Sequence, residues 1–148
     1  MQDTTVTESI IKETIKNHGG TFNRNGTKWN DHYGNELGVE GWFLISRPDG
    51  LEFSEPTTND LADFLGQVGG EIEDFRTDIN NRYDLLGTWI SDGVLYVDNV
   101  TVEYNFMTAI LTGNARSQQA IHDLQTGTDY KCLTDGDVLS SIRDFYGL

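Results

Sequence analysis

Six apolar residues, Leu61, Leu65, Val68, Ile72, Phe75 and Ile79, recur at intervals of 4, 3, 4, 3 and 4. At 3.6 residues per turn those positions fall on one side of an α-helix. The segment is therefore committed to helix and must bury that side, with Phe64 beside it. Pro56-Thr57-Thr58 opens the run, and Gly69-Gly70 sits in its middle. Each glycine costs about 1 kcal/mol relative to alanine inside a helix, which predicts a break or kink there. A seam of this spacing can also join two chains as a homodimer. Coiled coils normally need three to four heptads, which the stripe barely reaches, so packing against the chain's own core is the simpler expectation.

The elements around that helix are shorter and mixed in type. Thr5 and Glu8 have capping-box spacing, and Val6, Ile10, Ile11 and Ile15 follow at helical intervals until Asn17-His18-Gly19-Gly20 ends the run. Thr21-Phe22 reads as a strand within a glycine- and asparagine-rich stretch over 20–38 that is otherwise loop. Partial alternation over 37–45, the turn chemistry of Arg47-Pro48-Asp49-Gly50 and the restart at Leu51-Glu52-Phe53 predict a β-hairpin. Later the period changes to 2. Residues 85–90 and 94–97 flank Asp92-Gly93, which supplies the positive φ that a tight hairpin turn needs. A further strand follows over 100–104. Asn105 reads as the N-cap of a helix over 106–116. Residues 119–124 and 129–133 read as strands about Thr126-Gly127-Thr128, and 137–145 as a last short helix. The expected fold is α+β, a mostly antiparallel sheet with three to five helices, in a single compact domain over 1–148.

The chain carries 24 Asp and Glu against 10 Lys and Arg, a formal net charge of −14. Acidic disordered chains are short of aromatics, whereas this one has three Trp, six Tyr and seven Phe and is expected to fold. No basic segment leads into an apolar run, which predicts neither secretion nor membrane insertion. The single Cys132 excludes an internal disulfide and suits the reducing cytoplasm. So acidic a surface repels nucleic acid, because binding it requires Lys and Arg to displace counterions. It can instead compete for a protein whose own surface is basic.

The carboxylates cluster. Residues 52–84 hold nine of them (Glu52, Glu55, Asp60, Asp63, Glu71, Glu73, Asp74, Asp78 and Asp84) against Arg76 and Arg82, half of the net excess in under a quarter of the chain. Like charges three or four apart on a helix lie about 5–6 Å from one another and destabilise it by a few tenths of a kcal/mol. Helix stability does not account for them. Each DNA strand carries one phosphate per about 3.4 Å of axis, and a carboxylate row is a sparse copy of that, fit for the basic channel of a nuclease, methyltransferase or polymerase. A solvated helix face, or adaptation to high salt, is the plainer reading of any charge run, though salt adaptation scatters acids over the whole surface.

Catalytic and ligand-binding motifs are missing. His18, His32 and His122 have no companion at a metal-ligand spacing, and Cys132 stands alone. His122 and Asp123 are adjacent in a strand and so point to opposite faces. Phosphate-cradling and nucleophile-elbow glycine patterns are absent. Asp135-Gly136-Asp137 lacks the remaining positions of a calcium loop and reads as a helix-capping turn. No catalytic residue, metal or cofactor is expected, and enzyme activity is the minority reading. Trp29, Tyr33, Trp42 and Phe43 surround the glycine-rich loop, where Arg24, Lys28 and Arg47 could give a small-ligand pocket its positive charge.

Two resemblances add to this. Gly19-Gly20-Thr21-Phe22, Gly38-Val39, Leu86-Gly87-Thr88-Trp89, Leu95-Tyr96-Val97-Asp98 and Gln119-Ala120-Ile121-His122-Asp123-Leu124 with Gly127 together resemble small acidic proteins encoded by phages of actinobacteria, in order over most of the chain. That likeness implies an origin and no activity. The stretch 83–90 (YDLLGTWI) and Ala120-Ile121-His122-Asp123 are similar to DNA-mimicking antirestriction proteins over about a third of the chain. The chain departs from that pattern in a hairpin inserted over 91–104 and in lacking most of the family's first segment. This second likeness implies an acidic, non-catalytic dimer that occupies the DNA site of a restriction enzyme.

The resulting expectation is a phage-type, non-enzymatic inhibitor in the host cytoplasm. It binds a host nucleic-acid-acting defence protein with a basic surface through Asp60, Asp63, Glu71, Glu73, Asp74, Asp78 and Asp84. The alternatives are a sponge for a nucleotide-type signal, using Arg24, Lys28, Trp29, Trp42 and Arg47, and a virion or assembly component.

Overall fold

The structure is a computed structural model and describes residues 5–23, 25–27, 43–57, 59–79 and 84–148. Its elements are α1 (Thr5–Asn17), β1 (Gly19–Phe22), β2 (Phe43–Ser46), β3 (Leu51–Ser54), α2 (Leu61–Thr77), β4 (Leu85–Ser91), β5 (Val94–Glu103), α3 (Phe106–Ala115), β6 (Ala120–Asp123), β7 (Asp129–Lys131) and α4 (Asp135–Tyr146). The class is α+β, with four helices among the described residues and seven strands in one antiparallel sheet. Hydrogen-bonded neighbours follow the order β1-β4-β5-β2-β6-β7, and β3 also pairs with β5. No helix among the described residues is long and apolar enough to cross a membrane.

Contacts divide the chain into two compact units, Met1–Trp29 with Asp49–Asn99, and Asn30–Pro48 with Val100–Leu148. In the first, the core is Ile10 and Ile11 of α1, Phe22 of β1, Leu61 and Ile72 of α2, Ile79, and Leu86, Leu95 and Val97 of the sheet. The apolar stripe of α2 works as its spacing predicts. Leu61, Ile72 and Ile79 are buried, and Phe64, Leu65, Val68 and Phe75 pack partly buried on the same core. The helix runs unbroken through Gly69-Gly70, against the break that glycine propensity predicts. Gly69 is itself buried, and burial of the helix's apolar face outweighs about 2 kcal/mol of propensity.

The turn between β4 and β5 has Asp92 at φ 51° and Gly93 at φ 76°, the paired positive values of a tight hairpin turn. Residues 100–104 do not form a separate strand as expected, because β5 continues without interruption to Glu103. Nor do β2 and β3 form the expected hairpin. Both run antiparallel to β5, β3 pairing Leu51 with Val97 and β2 pairing Ser46 with Val100. Arg47-Pro48-Asp49-Gly50 is therefore a detour between two strands of the same direction. Asp49 takes a positive φ of 72°, and a Cβ on Gly50 would fall onto the Asp98 carboxylate, so the turn-prone sequence serves a close approach instead of a reversal.

The second unit packs α3 and α4 over a core of Phe43, Ile45, Phe106, Ala109, Ile110, Ile121, Cys132 and Val138. Asn105 caps α3, its side chain accepting from the Thr108 amide at 3.0 Å. A capping box closes the start of α4, with Thr134 accepting from the Asp137 amide and Asp137 from the Thr134 amide. The acidic triplet 135–137 is thus cap chemistry, as its sequence suggests.

Candidate protein-binding surface

Helix α2 sorts its charges by face. Asp60, Asp63, Glu71, Asp74 and Asp78 are all exposed. With Gln67, also exposed, they follow intervals of 3, 4, 4, 3 and 4, so they form one outward row about 100° round the helix from the apolar stripe. From residue 60 to residue 78 the row spans about 27 Å at 1.5 Å per residue. Its mean spacing is close to two phosphate steps of a DNA strand.

Each end of the row is built locally. Asp60 accepts from the Thr57 amide at 2.6 Å, and the Asp60 amide donates to the Thr57 hydroxyl. The bonds from the Thr57 amide and hydroxyl hold the Asp60 carboxyl below the usual carboxylate range, so it is ionised at any physiological pH. Asp78 occupies the C-cap, where the amide returns to the Asp74 carbonyl. Carboxylates near the C-terminal end of a helix oppose its dipole at a cost of about 0.3–1 kcal/mol each, and Asp74 and Asp78 both stand there.

Two of the seven sequence-predicted partner-binding residues are not on this surface. Glu73 is 6% exposed and Asp84 7%. Glu73 accepts from Arg76 at both Nε and Nη2 and from the Thr7 hydroxyl of α1. The reason is packing: Glu73 lies about 100° round the helix from Ile72 on the flank that meets Thr7 of α1, with Arg76 beside it, whereas Glu71, about 100° to the other side, faces water. Arg76 is the only basic residue in α2 and is 8% exposed. Thus the helix's one positive charge is turned inward. Thr7 and Thr14 occupy the centre of the buried face of α1, Thr14 meeting Thr88 at 2.6 Å. Hydrophobic patterning passes over such threonines, and the polar residues of α1 and α2 lock together through groups that apolar counting does not register. The one available signal was the i, i+3 spacing of Glu73 and Arg76 beside Ile72.

Of the expected ligand pocket, Arg24, Lys28, Trp29 and Trp42 lie outside the described residues, and Arg47 is half-buried at the start of the 47–50 detour. Among the described residues, no group of three His, Cys, Asp or Glu side chains is arranged to hold a metal ion. His122 pairs across the strands with Asp129, Nδ1 to Oδ1 at 2.7 Å. Its sequence neighbour Asp123 turns inward and accepts from the Gln125 and Thr126 amides. Cys132 is fully buried, its thiol donating to the Gln118 carbonyl, and burial followed by the nearby Asp137 pushes it up to about 11. A buried thiol held protonated is a poor nucleophile.

An open groove of about 340 Å³ lies between β7 and α4, lined by residues that include Asp129, Lys131, Asp137, Ser140 and Asp144. Ser141 at its floor donates to the Lys131 carbonyl at 2.6 Å.

No family model, curated protein or solved structure matches the chain.

Proposed function

We propose that this protein is a non-enzymatic acidic inhibitor that binds a basic groove on a nucleic-acid-acting host protein, in the manner of a DNA mimic, and that it serves a phage against host defence. One observation carries the reading. Five carboxylates stand in a single outward row on α2 while the only basic side chain of that helix faces inward onto Glu73. Like-charge spacing opposes helix stability along the row, and the helix dipole opposes Asp74 and Asp78 while favouring Asp60 and Asp63, so a basic partner surface is a natural complement. Electrostatic attraction would speed the encounter and set specificity, and salt would screen it.

The reading is tested by expressing the protein in hosts that carry defined restriction systems and plating unmodified phage. Protection should rise with the wild type and vanish with Asp63→Asn/Glu71→Gln/Asp74→Asn/Asp78→Asn. Equal protection from that variant, its fold verified by circular dichroism, would remove the row from the explanation. Glu73 is left out of the set because its substitution would unfold the helix contact with α1.

A further inference from the structure

Helices α3 and α4 form an antiparallel pair. The Phe106 ring at the start of α3 stacks on Phe145 at the end of α4, with centroids 4.0 Å apart. At the other end, the Asn114 side-chain amide donates to the Cys132 carbonyl at 3.0 Å. Met107 of α3 and Ile142 of α4 are partly buried against the shared core, and the Tyr146 ring meets Phe106 across the seam between the helices. Above that seam stand Leu111 at 51% exposure, Leu139 at 56% and Tyr146 at 49%, with Leu133 at 41% beside Asn114. Leu111 lies one turn from Met107, and Leu139, Ile142 and Tyr146 follow at intervals of 3 and 4, so each exposed residue is on the seam side of its helix.

Charge on this face is sparse and balanced, in a chain of net −14. Helix α3 contains no charged residue. On α4, Asp137 and Asp144 line the groove toward β7, away from the seam. The seam side keeps Asp135 and Arg143, four residues before and four after Leu139. An antiparallel meeting of α4 with a second α4, centred on Leu139, therefore places Asp135 of each copy against Arg143 of the other and Leu139 on Leu139. A two-fold interface requires such self-complementarity. The four exposed side chains offer roughly 400 Å² per copy, about half of the ~800 Å² per partner in a standard interface. Twice that area is below the ~1,000 Å² total of a stable specific interface, as for a weak, transient dimer.

We infer that the α3–α4 face is a homodimer interface whose occupant is a second copy of this chain, joined about Leu139. It differs from the α2 seam that the heptad-like spacing suggests, since that stripe is spent on the core. Sedimentation equilibrium of the full chain between 5 and 200 µM tests it. A mass moving from 16.6 kDa toward twice that value is expected, with association maintained at 0.5 M salt because screening relieves repulsion between two strongly negative chains. Leu139→Glu should weaken association at least tenfold while leaving the circular dichroism spectrum unchanged. Asp135→Arg and Arg143→Asp should each weaken it, and the double variant should recover most of the loss. A chain that stays monomeric at 200 µM in both salts overturns the inference, as does a dimer indifferent to Leu139→Glu. Either result would leave the face to a partner of different sequence.

Discussion

Replacing Glu73 by glutamine keeps the size of the side chain and removes its charge, which leaves the buried Arg76 guanidinium without the carboxylate that accepts from its Nε and Nη2. Breaking a buried ion pair by removing one partner costs about 3–5 kcal/mol. The glutamine oxygen can still accept one bond from Arg76 or from the Thr7 hydroxyl, so the lower end, about 3 kcal/mol, is expected. In a chain of this length each kcal/mol moves the thermal midpoint by about 2–4 °C, giving a fall of about 6–12 °C. Glu71→Gln, two residues earlier at an exposed position, should move the midpoint by less than about 2 °C, since surface substitutions stay within about 0.5 kcal/mol. Urea titrations followed by far-ultraviolet circular dichroism, compared at constant m-value, separate the two. Equal losses for Glu73→Gln and Glu71→Gln would refute the division of α2 into an inward charged pair and an outward row.

Other perturbations read other parts of the molecule. Gly93→Ala should cost about 1–2 kcal/mol through the positive φ alone, because a Cβ there meets no atom within 4 Å; a neutral result in thermal melts would contradict the turn assignment. Gly113→Ala would bring a Cβ to 2.7 Å from the Cys132 sulfur and 2.8 Å from Ile121, so overpacking of about 1–3 kcal/mol should exceed the roughly 1 kcal/mol that alanine gains in helix propensity. For Cys132, a shift from the ordinary 9.0 to about 11 lowers the thiolate fraction at pH 8 by about 100-fold, and iodoacetamide labelling should be slower by at least that factor until urea unfolds the chain. The sign on stability follows: the folded thiol holds its proton more tightly, so the contribution is present below pH 9 and is lost as pH rises toward 11.

Much of the fold was legible because it rests on strong local signals. The 4-3-4-3-4 stripe located α2 and its core-facing residues, Asp92-Gly93 located the β4–β5 turn, and Asn105 the start of α3. What escaped depends on long-range pairing. Arg47-Pro48-Asp49-Gly50 has the composition of a reversing turn, yet β5 offers one continuous edge to both β2 and β3, and the chain detours where a hairpin was expected. Intrinsic propensity favours a break at the glycine pair in α2, and burial of the helix overrides it. The candidate surface was legible as a row of acids on the helix, but not in its membership. Counting carboxylates from residue 52 to residue 84 could not separate Glu73 and Asp84, which the fold buries, from the five that face water. The exposed leucines of α3 and α4 escaped for the converse reason: apolar residues at helical spacing read as core until the packing shows which side of each helix the core occupies.

The most direct measurement is competition with DNA. Once a restricting host has identified the susceptible enzyme, displacement of a labelled duplex from that enzyme can be followed by fluorescence anisotropy as the protein is titrated at several salt concentrations. Displacement should occur at low salt, weaken steeply as salt rises, and disappear with the Asp63→Asn/Glu71→Gln/Asp74→Asn/Asp78→Asn variant. If the folded variant displaces the duplex as well as the wild type does, the acidic row on α2 is not what the partner recognises.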